Sequence, residues 1–583
     1  MSYVQHAMGG SPSWRWLVDR VWGFEHAFER ARARGRAEDD TRIRIFFVLA
    51  AFATAFLSLA VGATRAALSG ADGRAGASAA AEGAARADLV DRNGAMLAAD
   101  LLHYGLYVDP REVWDVDATR RALRAALPAI EAPRLEKALH GDRRTFLIGG
   151  LTPEVRARVH DLGLPGLSFE AETRRVYPLG TTAAHLIGFA DSGGSGLAGA
   201  EYAIDEAVRA GALAHEPQAL SIDLRVQAAL EDEVVKAARA FQAQGAVGLI
   251  TKVHTGEILG LVSYPSFDPN QAGRATPDQL LNRVGTQVYE MGSTFKVFTV
   301  AMGLDSGAVT LASTFDTSQP VRIGGQVIHD YHAENRIMTV SDAFIHSSNI
   351  GTTKLALRAG GPTLTRYFQK FGLFEAAQVE LQESAKPILP RQWNDNAVAS
   401  ASFGHAISVS PLALAAGMGA ILNGGTYVPL TIRPMKADAR PEGPRVVSEA
   451  TSKAMLQLMR LNVVHGTGGK ANAPGMRVGG KTGSAEKVID GHYARSTLVS
   501  SFAAVFPTDG PLEADRYFIL ILLDEPKGNA ESFGLATGGW TAAPAVGRVV
   551  DRIGPFLGVA RRADAPTGEP KDLAPALMNA DER

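Results

Sequence analysis

The sequence predicts a mixed α/β protein in which two folded regions follow a single membrane-spanning helix. Its 583 residues exceed the size of one ordinary domain and suggest two or three domains. Residues 45–64 form an apolar run without a charged side chain, which is long enough to cross a bilayer as a helix. Beyond this run, short apolar strand patterns alternate with helical patterns, so both folded regions should contain strands and helices.

Arginine residues determine the orientation predicted for the membrane helix. Those that closely precede it are Arg30, Arg32, Arg34, Arg36, Arg42 and Arg44, whereas only Arg65 and Arg74 follow at a similar distance. Because positively charged flanks stay on the cytoplasmic side, residues 1–44 are predicted to be a cytoplasmic tail and residues 65–583 to lie outside the cytoplasm. The alternative is a cleaved signal peptide, but its leader and its apolar core would both be too long.

The composition excludes several kinds of chemistry. The chain has no Cys, which rules out thiol catalysis, thiolate metal sites and disulfides. Its 14 His residues show no spacing typical of a metal site, so we predict neither a metal nor another cofactor. The net charge is only −2 and no nucleic-acid-binding motif is present, so nucleic acid is not an expected partner.

The first folded region should follow a linker. Residues 69–87 are small and rich in Gly and Ala, as flexible connections are. Residues 89–90 are predicted to be a strand that runs into a turn at Asn93-Gly94, and a second strand is expected near residues 104–108. A mixed α/β pattern then continues to about Arg225.

The second folded region contains the stronger local patterns. Two apolar strands, residues 246–253 and 258–264, flank His254-Thr255-Gly256-Glu257 and predict a hairpin. One helix should begin at about Ser293 and end at Gly307, and another should follow Ser410-Pro411. Further strands are expected at residues 502–506 and 517–523, then a helix over residues 541–553 and a loose polar tail over residues 561–583.

Ser293 and Lys296 form an S-x-x-K pattern at the predicted start of a helix. Residues three apart lie on one helix face, so the lysine amine can reach the serine hydroxyl and take its proton. The helix N-terminus adds backbone N–H groups that can stabilise an oxyanion. The pattern alone is weak, because Ser293 could simply cap the helix and a second match occurs at Ser484 and Lys487.

Two further motifs strengthen the assignment. Ser347 and Asn349 fit S-x-N, and the run Lys481-Thr482-Gly483-Ser484 fits K-T-G. Singly, each is more simply explained by a polar turn or by a solvated strand edge. S-x-x-K, an S-x-N type element and K-T-G are the motifs of penicillin-binding proteins and serine β-lactamases, and here they occur in that order. All three are unlikely to arise together by chance.

With these motifs in place, the chain resembles the class B penicillin-binding proteins, monofunctional D,D-transpeptidases of peptidoglycan, over about residues 86–560. The run Tyr289-Glu290-Met291-Gly292-Ser293-Thr294-Phe295-Lys296 matches the family's nucleophile block. Residues 86–94, 175–178 and 196–201 resemble three blocks of its N-terminal pedestal, a domain that β-lactamases lack. The resemblance implies a transpeptidase domain like that of serine β-lactamases, an antiparallel sheet with flanking helices, on an α+β pedestal.

The resemblance also implies a role in catalysis for residues of each motif. Lys296 would deprotonate Ser293, and Ser293 would attack the penultimate D-Ala carbonyl of a stem pentapeptide. Ser347 would pass a proton to the departing D-Ala, with Lys481 beside it. Asn349 would hold Lys296 and hydrogen-bond the substrate.

The K-T-G strand would bind the substrate. Lys481, Thr482, Gly483 and Ser484 would hold its terminal carboxylate, and the backbone N–H groups of Ser293 and Ser484 would form the oxyanion hole. An acceptor amine would then convert the acyl-enzyme into a crosslink. β-Lactams should react at the same serine.

The family assignment implies an organisation and a set of partners. The predicted domains are a tail (1–44), a membrane anchor (45–64), a linker and pedestal (65–225), a transpeptidase domain (226–560) and a second tail (561–583). The overall texture of the sequence favours the division-specific FtsI type. Such a protein is expected in the inner membrane with its catalytic domain in the periplasm. Its expected partners are peptidoglycan stem peptides, an FtsW-type glycan polymerase and other division proteins. The alternatives are an elongation-type transpeptidase, a β-lactam hydrolase or sensor, and an inactive scaffold of the division machinery.

Overall fold

The computed structural model of the chain describes residues 86–214, 216–489 and 492–562, together with residues 52, 54 and 56. Within these ranges, no helix is both long and apolar enough to cross a membrane. The predicted tails, linker and membrane helix fall almost entirely outside the described residues.

The N-terminal part of the described chain is an α+β region, as expected. Its elements, in chain order, are β1 (Leu89–Val90), β2 (Met96–Val108), α1 (Val116–Ala126), α2 (Ala132–Leu139), β3 (Thr145–Leu151), α3 (Pro153–His160), β4 (Leu167–Val176), α4 (Ala184–Ile187), α5 (Gly199–Ala203), α6 (Asp205–Ala214) and β5 (Gln218–Ala219). Strand β2 pairs antiparallel with β1, β3 and β4, and β1 pairs parallel with β5.

The predicted turn at Asn93-Gly94 joins β1 to β2. The Asp91 carboxylate accepts hydrogen bonds from the backbone N–H groups of Asn93 and Ala95, both at 2.8 Å, and Gly94 has a φ of +85° that favours glycine. The second strand begins at Met96, well before the predicted residue 104. Pairing with β4 accounts for most of the extra length, because the residues of β2 that pair with β4 run from Ala99 to Val108.

A buried ion cluster joins the three pedestal blocks. The Arg86 guanidinium donates to the Glu201 carboxylate at 2.5 and 2.8 Å and also contacts Asp205. Arg175 donates to the other oxygen of Glu201 at 2.7 Å and to Asp100 at 3.2 Å. The side chains of Arg86 and Glu201 are 1% and 0% exposed, so the charges stabilise the fold only as a set.

The remaining chain forms a sheet with helices on both faces. Its elements are α7 (Leu224–Ala240), β6 (Gly245–Lys252), β7 (Ile258–Tyr264), α8 (Pro277–Leu280), α9 (Lys296–Asp305), β8 (Thr314–Asp316), β9 (Val321–Ile323), β10 (Gln326–Ile328), β11 (Ile337–Thr339), α10 (Val340–Ile345), α11 (Asn349–Ala359), α12 (Gly361–Lys370), α13 (Asp395–Ala401), α14 (Pro411–Leu422), α15 (Glu449–His465), β12 (Gly479–Ile489), β13 (His492–Phe506), β14 (Tyr517–Asp524) and α16 (Ala542–Ile553).

The main sheet of this part is antiparallel, with the order β12-β13-β14-β6-β7. Every residue of β14, its central strand, is buried. Apolar side chains of α7 and α16 pack on one face, and those of α9, α14 and α15 belong to the core on the other. The predicted β6–β7 hairpin, the two later strands and the terminal helix are therefore confirmed.

Candidate active site

Ser293 lies in a tight turn between the sheet and helix α9. The helix was predicted to begin at about Ser293, but Gly292–Phe295 form a 3-10 turn and the α-helix begins at Lys296. Gly292 has a φ of +55°, and a Cβ there would lie 2.6 Å from the Ser484 carbonyl oxygen. A Cβ at Gly483 would likewise lie 2.6 Å from the Met291 carbonyl oxygen. These two glycines let the turn pack directly on strand β12.

Lys296 is fully buried one helical turn after Ser293. Its Nζ donates to Ser347 Oγ at 3.1 Å and also contacts the Ser347 carbonyl oxygen. Burial lowers the pKa of Lys296 to about 7, although the charge of Asp330 opposes the shift. A substantial fraction of the amine is therefore neutral near pH 7 and can accept a proton.

Ser347 connects the two lysines of the site. Lys481 Nζ donates to Ser347 Oγ at 2.8 Å, so the hydroxyl oxygen lies within hydrogen-bond distance of both amines. Lys481 is fully buried, and burial together with the charge of Lys296 lowers its pKa. A hydroxyl oxygen accepts two hydrogen bonds and keeps one proton to donate. Residues separated by 51 and 134 positions in the chain thus meet at one oxygen.

Strand β12 carries a row of polar side chains along the site. Thr482, Ser484 and Glu486 alternate along the strand on the face that lines the cavity. Thr482 Oγ1 lies 2.9 Å from Thr467 Oγ1, and Ser484 Oγ accepts from the Gly538 N–H at 3.0 Å. The hydroxyls are therefore oriented by neighbouring elements.

These residues line a cavity of about 500 Å³. Ser293, Ser347, Asn349, Thr482 and Ser484 all contribute to its wall. The cavity can accommodate an extended peptide end. Its wall contains the nucleophile candidate Ser293, the Ser347 hydroxyl that both buried amines contact, and a strand that offers hydroxyl groups. This arrangement suits acyl transfer through a serine ester.

Asn349 differs from its expected arrangement. Its Nδ2 donates to the His329 carbonyl oxygen at 3.0 Å. Among the described contacts, Lys296 Nζ is bound by Ser347 instead of by Asn349. The expectation that Asn349 holds Lys296 is therefore wrong for this structure. Asn349 Nδ2 is directed to the backbone of the segment between β10 and β11, while Ser347, with a left-handed φ of +59°, supplies the contacts of the amine.

The second S-x-x-K match does not form a comparable pair. Ser484 and Lys487 lie on strand β12 and not on a helix, and a bulge falls between Glu486 and Lys487. The faces to which the two side chains point therefore cannot be read from their spacing, and the contacts of Lys487 decide the matter. Lys487 Nζ is bound to Asp524 at 2.9 Å and to Glu525 at 2.7 Å. These carboxylates raise the pKa of Lys487, which therefore remains charged at neutral pH.

Several residues around the site were missed in the sequence. Tyr331, His405, Thr467 and Trp540 line the cavity, but each stands alone in its segment without a recognisable pattern. Glu290 immediately precedes Met291 in the nucleophile block, and burial raises its pKa to about 7. Its position in that block was the only available signal.

Comparison with known proteins identifies the class to which this fold and site belong. Residues 246–550 match the family described as penicillin binding protein transpeptidase domain, and residues 81–196 match the penicillin-binding protein dimerisation domain. The chain belongs to the class B penicillin-binding proteins, serine acyltransferases in which a dimerisation domain precedes the transpeptidase domain.

Individual relatives are similar over most of the chain. The probable peptidoglycan D,D-transpeptidase FtsI of Caulobacter vibrioides (strain NA1000 / CB15N) is 59% identical, over 99% of both chains. The peptidoglycan D,D-transpeptidase FtsI of Escherichia coli (strain K12) is 30% identical, over 80% of this chain and 83% of its own. The probable peptidoglycan D,D-transpeptidase PenA of Neisseria gonorrhoeae is 30% identical, over 78% and 82%.

Proposed function

We propose that this protein is a peptidoglycan D,D-transpeptidase that crosslinks stem peptides through an acyl-enzyme on Ser293. The observation that carries the assignment of residues is the Ser347 hydroxyl, which lies within 3.1 Å of Lys296 and 2.8 Å of Lys481 in the cavity that Ser293 lines. The activity agrees with the family and with the relatives named above.

Acylation begins with the proton of Ser293. Lys296, whose pKa of about 7 leaves much of the amine neutral, takes this proton. Ser293 Oγ then bonds to the carbonyl carbon of the penultimate D-Ala, and the backbone N–H groups of Ser293 and Ser484 stabilise the oxyanion.

Ser347 completes the acylation step. Since both amines donate to its oxygen, its own proton is available for the leaving nitrogen. As the peptide bond breaks, the Ser347 hydroxyl protonates the terminal D-Ala amine and is reprotonated from the Lys296 and Lys481 pair. The stem peptide remains as an ester on Ser293.

Substrate binding is assigned to strand β12 and helix α11. The hydroxyls of Thr482 and Ser484, with Gly483 between them and Lys481 behind, hold the terminal carboxylate. Asn349 lines the same cavity and hydrogen-bonds the peptide backbone of the substrate. The acceptor amine of a neighbouring stem peptide later attacks the ester, releases Ser293 and forms the crosslink. β-Lactams react as analogues of the D-Ala-D-Ala end.

The experiment that tests this assignment is labelling with a fluorescent penicillin. The wild-type full-length protein should be labelled, and Ser293→Ala should lose the label while its melting temperature is unchanged. The matched control is Ser484→Ala, which removes the serine of the second S-x-x-K match and should still be labelled, at a lower rate. Labelled Ser293→Ala protein together with unlabelled Ser484→Ala protein would reverse the assignment.

The cellular role proposed is crosslinking of the septal wall. It is supported by the division-type relatives, two of which carry the name FtsI. Residues 45–64 would anchor the chain in the inner membrane, with residues 65–225 as linker and pedestal and residues 226–560 as the periplasmic transpeptidase domain. An FtsW-type polymerase would supply glycan strands. Depletion should produce long undivided cells, whereas round cells that still divide would indicate an elongation role.

A further inference from the structure

Asp330 lies in the segment between β10 and β11, beside the S-x-N motif. Its Oδ2 accepts a hydrogen bond from Ser348 Oγ at 2.7 Å, and its Oδ1 accepts one from the Ile350 N–H at 2.9 Å. The two donors lie one and three residues after Ser347 in the chain. The next residue of the segment, Tyr331, lines the cavity, so the carboxylate holds this wall of the site to the start of helix α11.

The turn that Asp330 contacts contains an unfavourable backbone conformation. Ser347 has a φ of +59°, which costs a residue with a side chain about 1 kcal/mol or more. Such a conformation persists only when neighbouring interactions hold it. Ser348 supplies one of them: its hydroxyl caps helix α11 by accepting from the Gly351 N–H at 2.9 Å while donating to Asp330. The 2% exposed Ser348 thus connects the strained residue to the carboxylate.

The position of Ser347 decides the geometry of proton transfer. Its Oγ must remain 3.1 Å from Lys296 Nζ and 2.8 Å from Lys481 Nζ. We propose that Asp330 is a positioning residue for acylation: its carboxylate fixes the Ser347–Ser348 turn so that the Ser347 hydroxyl stays between the two amines. The inference rests on the proposed function of Ser293 and assigns a role outside the three motifs.

The carboxylate also acts on Lys296 through its charge. Titratable groups that interact with Lys296 are Lys481, His405 and Asp330. Of these, Asp330 is the negatively charged group, and it raises the pKa of Lys296 against the effect of burial. Removal of this charge should lower the pKa of Lys296, so the base should become deprotonated at a lower pH.

The test compares Asp330→Ala, Asp330→Asn and a matched control in the full-length protein. The rate of acylation by fluorescent penicillin is measured from pH 5 to 9. The control is Asp316→Ala, because Asp316 also accepts from a backbone N–H and a serine hydroxyl, those of Ser318 at 2.9 and 2.6 Å, but does not contact the Ser347 turn. Melting temperatures identify any loss of fold.

Asp330→Ala should slow acylation by about 100-fold, because a small displacement of Ser347 disrupts proton transfer. Asp330→Asn keeps an oxygen for the Ile350 N–H, and its amide nitrogen can donate to Ser348 Oγ in place of the present bond, so it should recover most of the rate. The acid limb of its pH profile should shift to lower pH, because the negative charge is gone. Asp316→Ala should behave as the wild type.

The proposal is overturned if Asp330→Ala acylates within about twofold of the wild type, or if Asp316→Ala loses as much activity. If Asp330→Ala does not fold, a folded Ser348→Ala variant, which removes the donor to Asp330 Oδ2, overturns the proposal when it acylates within about twofold of the wild type. A wild-type protein without label would instead refute the proposed function, so the two failures can be distinguished.

Discussion

The Tyr493 hydroxyl donates a hydrogen bond to Glu290 Oε1 at 3.2 Å. The contact joins the outer hairpin β12–β13 to the residue that lies three positions before the nucleophile. Glu290 Oε1 also accepts from the Ala406 N–H at 2.8 Å, so one carboxylate connects three segments around the site. Burial raises the pKa of Glu290 to about 7, well above its ordinary value of 4.5.

The first prediction concerns the pH dependence of stability. Because the pKa of Glu290 is raised on folding, its protonation contributes to the free energy of unfolding. This contribution is fully present below pH 4.5 and is lost as the pH rises through 7. Glu290→Gln mimics the protonated form, so wild type and variant should melt together at pH 4.5 and the variant should melt several degrees higher at pH 8.5. Thermal melts at these two pH values, with Tyr493→Phe as a second variant, measure this difference. A gap between the two melting temperatures that is smaller at pH 8.5 than at pH 4.5 would contradict this prediction.

The second prediction separates stability from activity at Lys481. A fully buried amine is costly to the fold, so Lys481→Met should leave the melting temperature unchanged or raise it. The same change removes one donor to Ser347 Oγ, and acylation by penicillin should fall by about 100-fold or more. A variant that acylates at the wild-type rate would exclude Lys481 from the reaction.

The third prediction concerns the lifetime of the penicilloyl adduct. Glu486 lines the cavity and is the acidic residue of β12 closest in sequence to Ser484. We predict that it does not activate water, so the adduct should persist for many minutes and Glu486→Gln should change its lifetime little. An efficient hydrolase, with about 10³ turnovers per second, would clear it in milliseconds. Intact-protein mass spectrometry after removal of free penicillin distinguishes the two; loss within seconds would support a β-lactamase.

The fourth prediction concerns the pedestal. Arg86→Ala would leave Glu201 and Asp205 without a cation that is 1% exposed, at a cost of about 3–5 kcal/mol in the free energy of unfolding. Arg209 also bonds Asp205, at 2.7 Å, but its side chain is 37% exposed. Arg209→Ala should therefore cost no more than about 1 kcal/mol. Urea unfolding of both variants measures the contrast, and equal losses would show that burial of the cluster is unimportant.

The fifth prediction tests the membrane topology expected from the sequence. A reporter that is active only outside the cytoplasm, fused after Arg583, should be active, because the arginines are concentrated before residue 45. The matched fusion, truncated after Gly10, should be silent. Activity of the short fusion with silence of the long one would reverse the orientation.

Local patterns were sufficient to predict several elements of the catalytic part. The β6–β7 hairpin and the capped helix after Ser410 follow from apolar runs bounded by turn and cap residues, which need no knowledge of distant chain. The length of β2 was underestimated, because it depends on pairing with β4 across the pedestal. The one turn of 3-10 helix at Ser293 was also missed, since the close packing of Gly292 on Ser484 imposes it.

The site was predictable as a set of residues but not as a set of contacts. The three motifs could be found because each occupies adjacent positions in the chain. The left-handed backbone of Ser347, the bond from Asn349 to His329 and the contacts of Asp330 all depend on how separate segments meet. Such contacts leave no periodic signal in a single sequence.

The central position of β14 has a consequence for biosynthesis. Its partner β6 begins at Gly245, and in the register Asp524 lies opposite that residue. A chain that emerges from its N-terminus therefore completes the β6–β7 hairpin long before β14 exists, and one edge of that hairpin waits unpaired. Sheets closed by such distant segments form slowly and expose apolar surface meanwhile. Folding of this protein in the cell should therefore depend on chaperones that cover the unpaired edge of β6 until β14 has been synthesised.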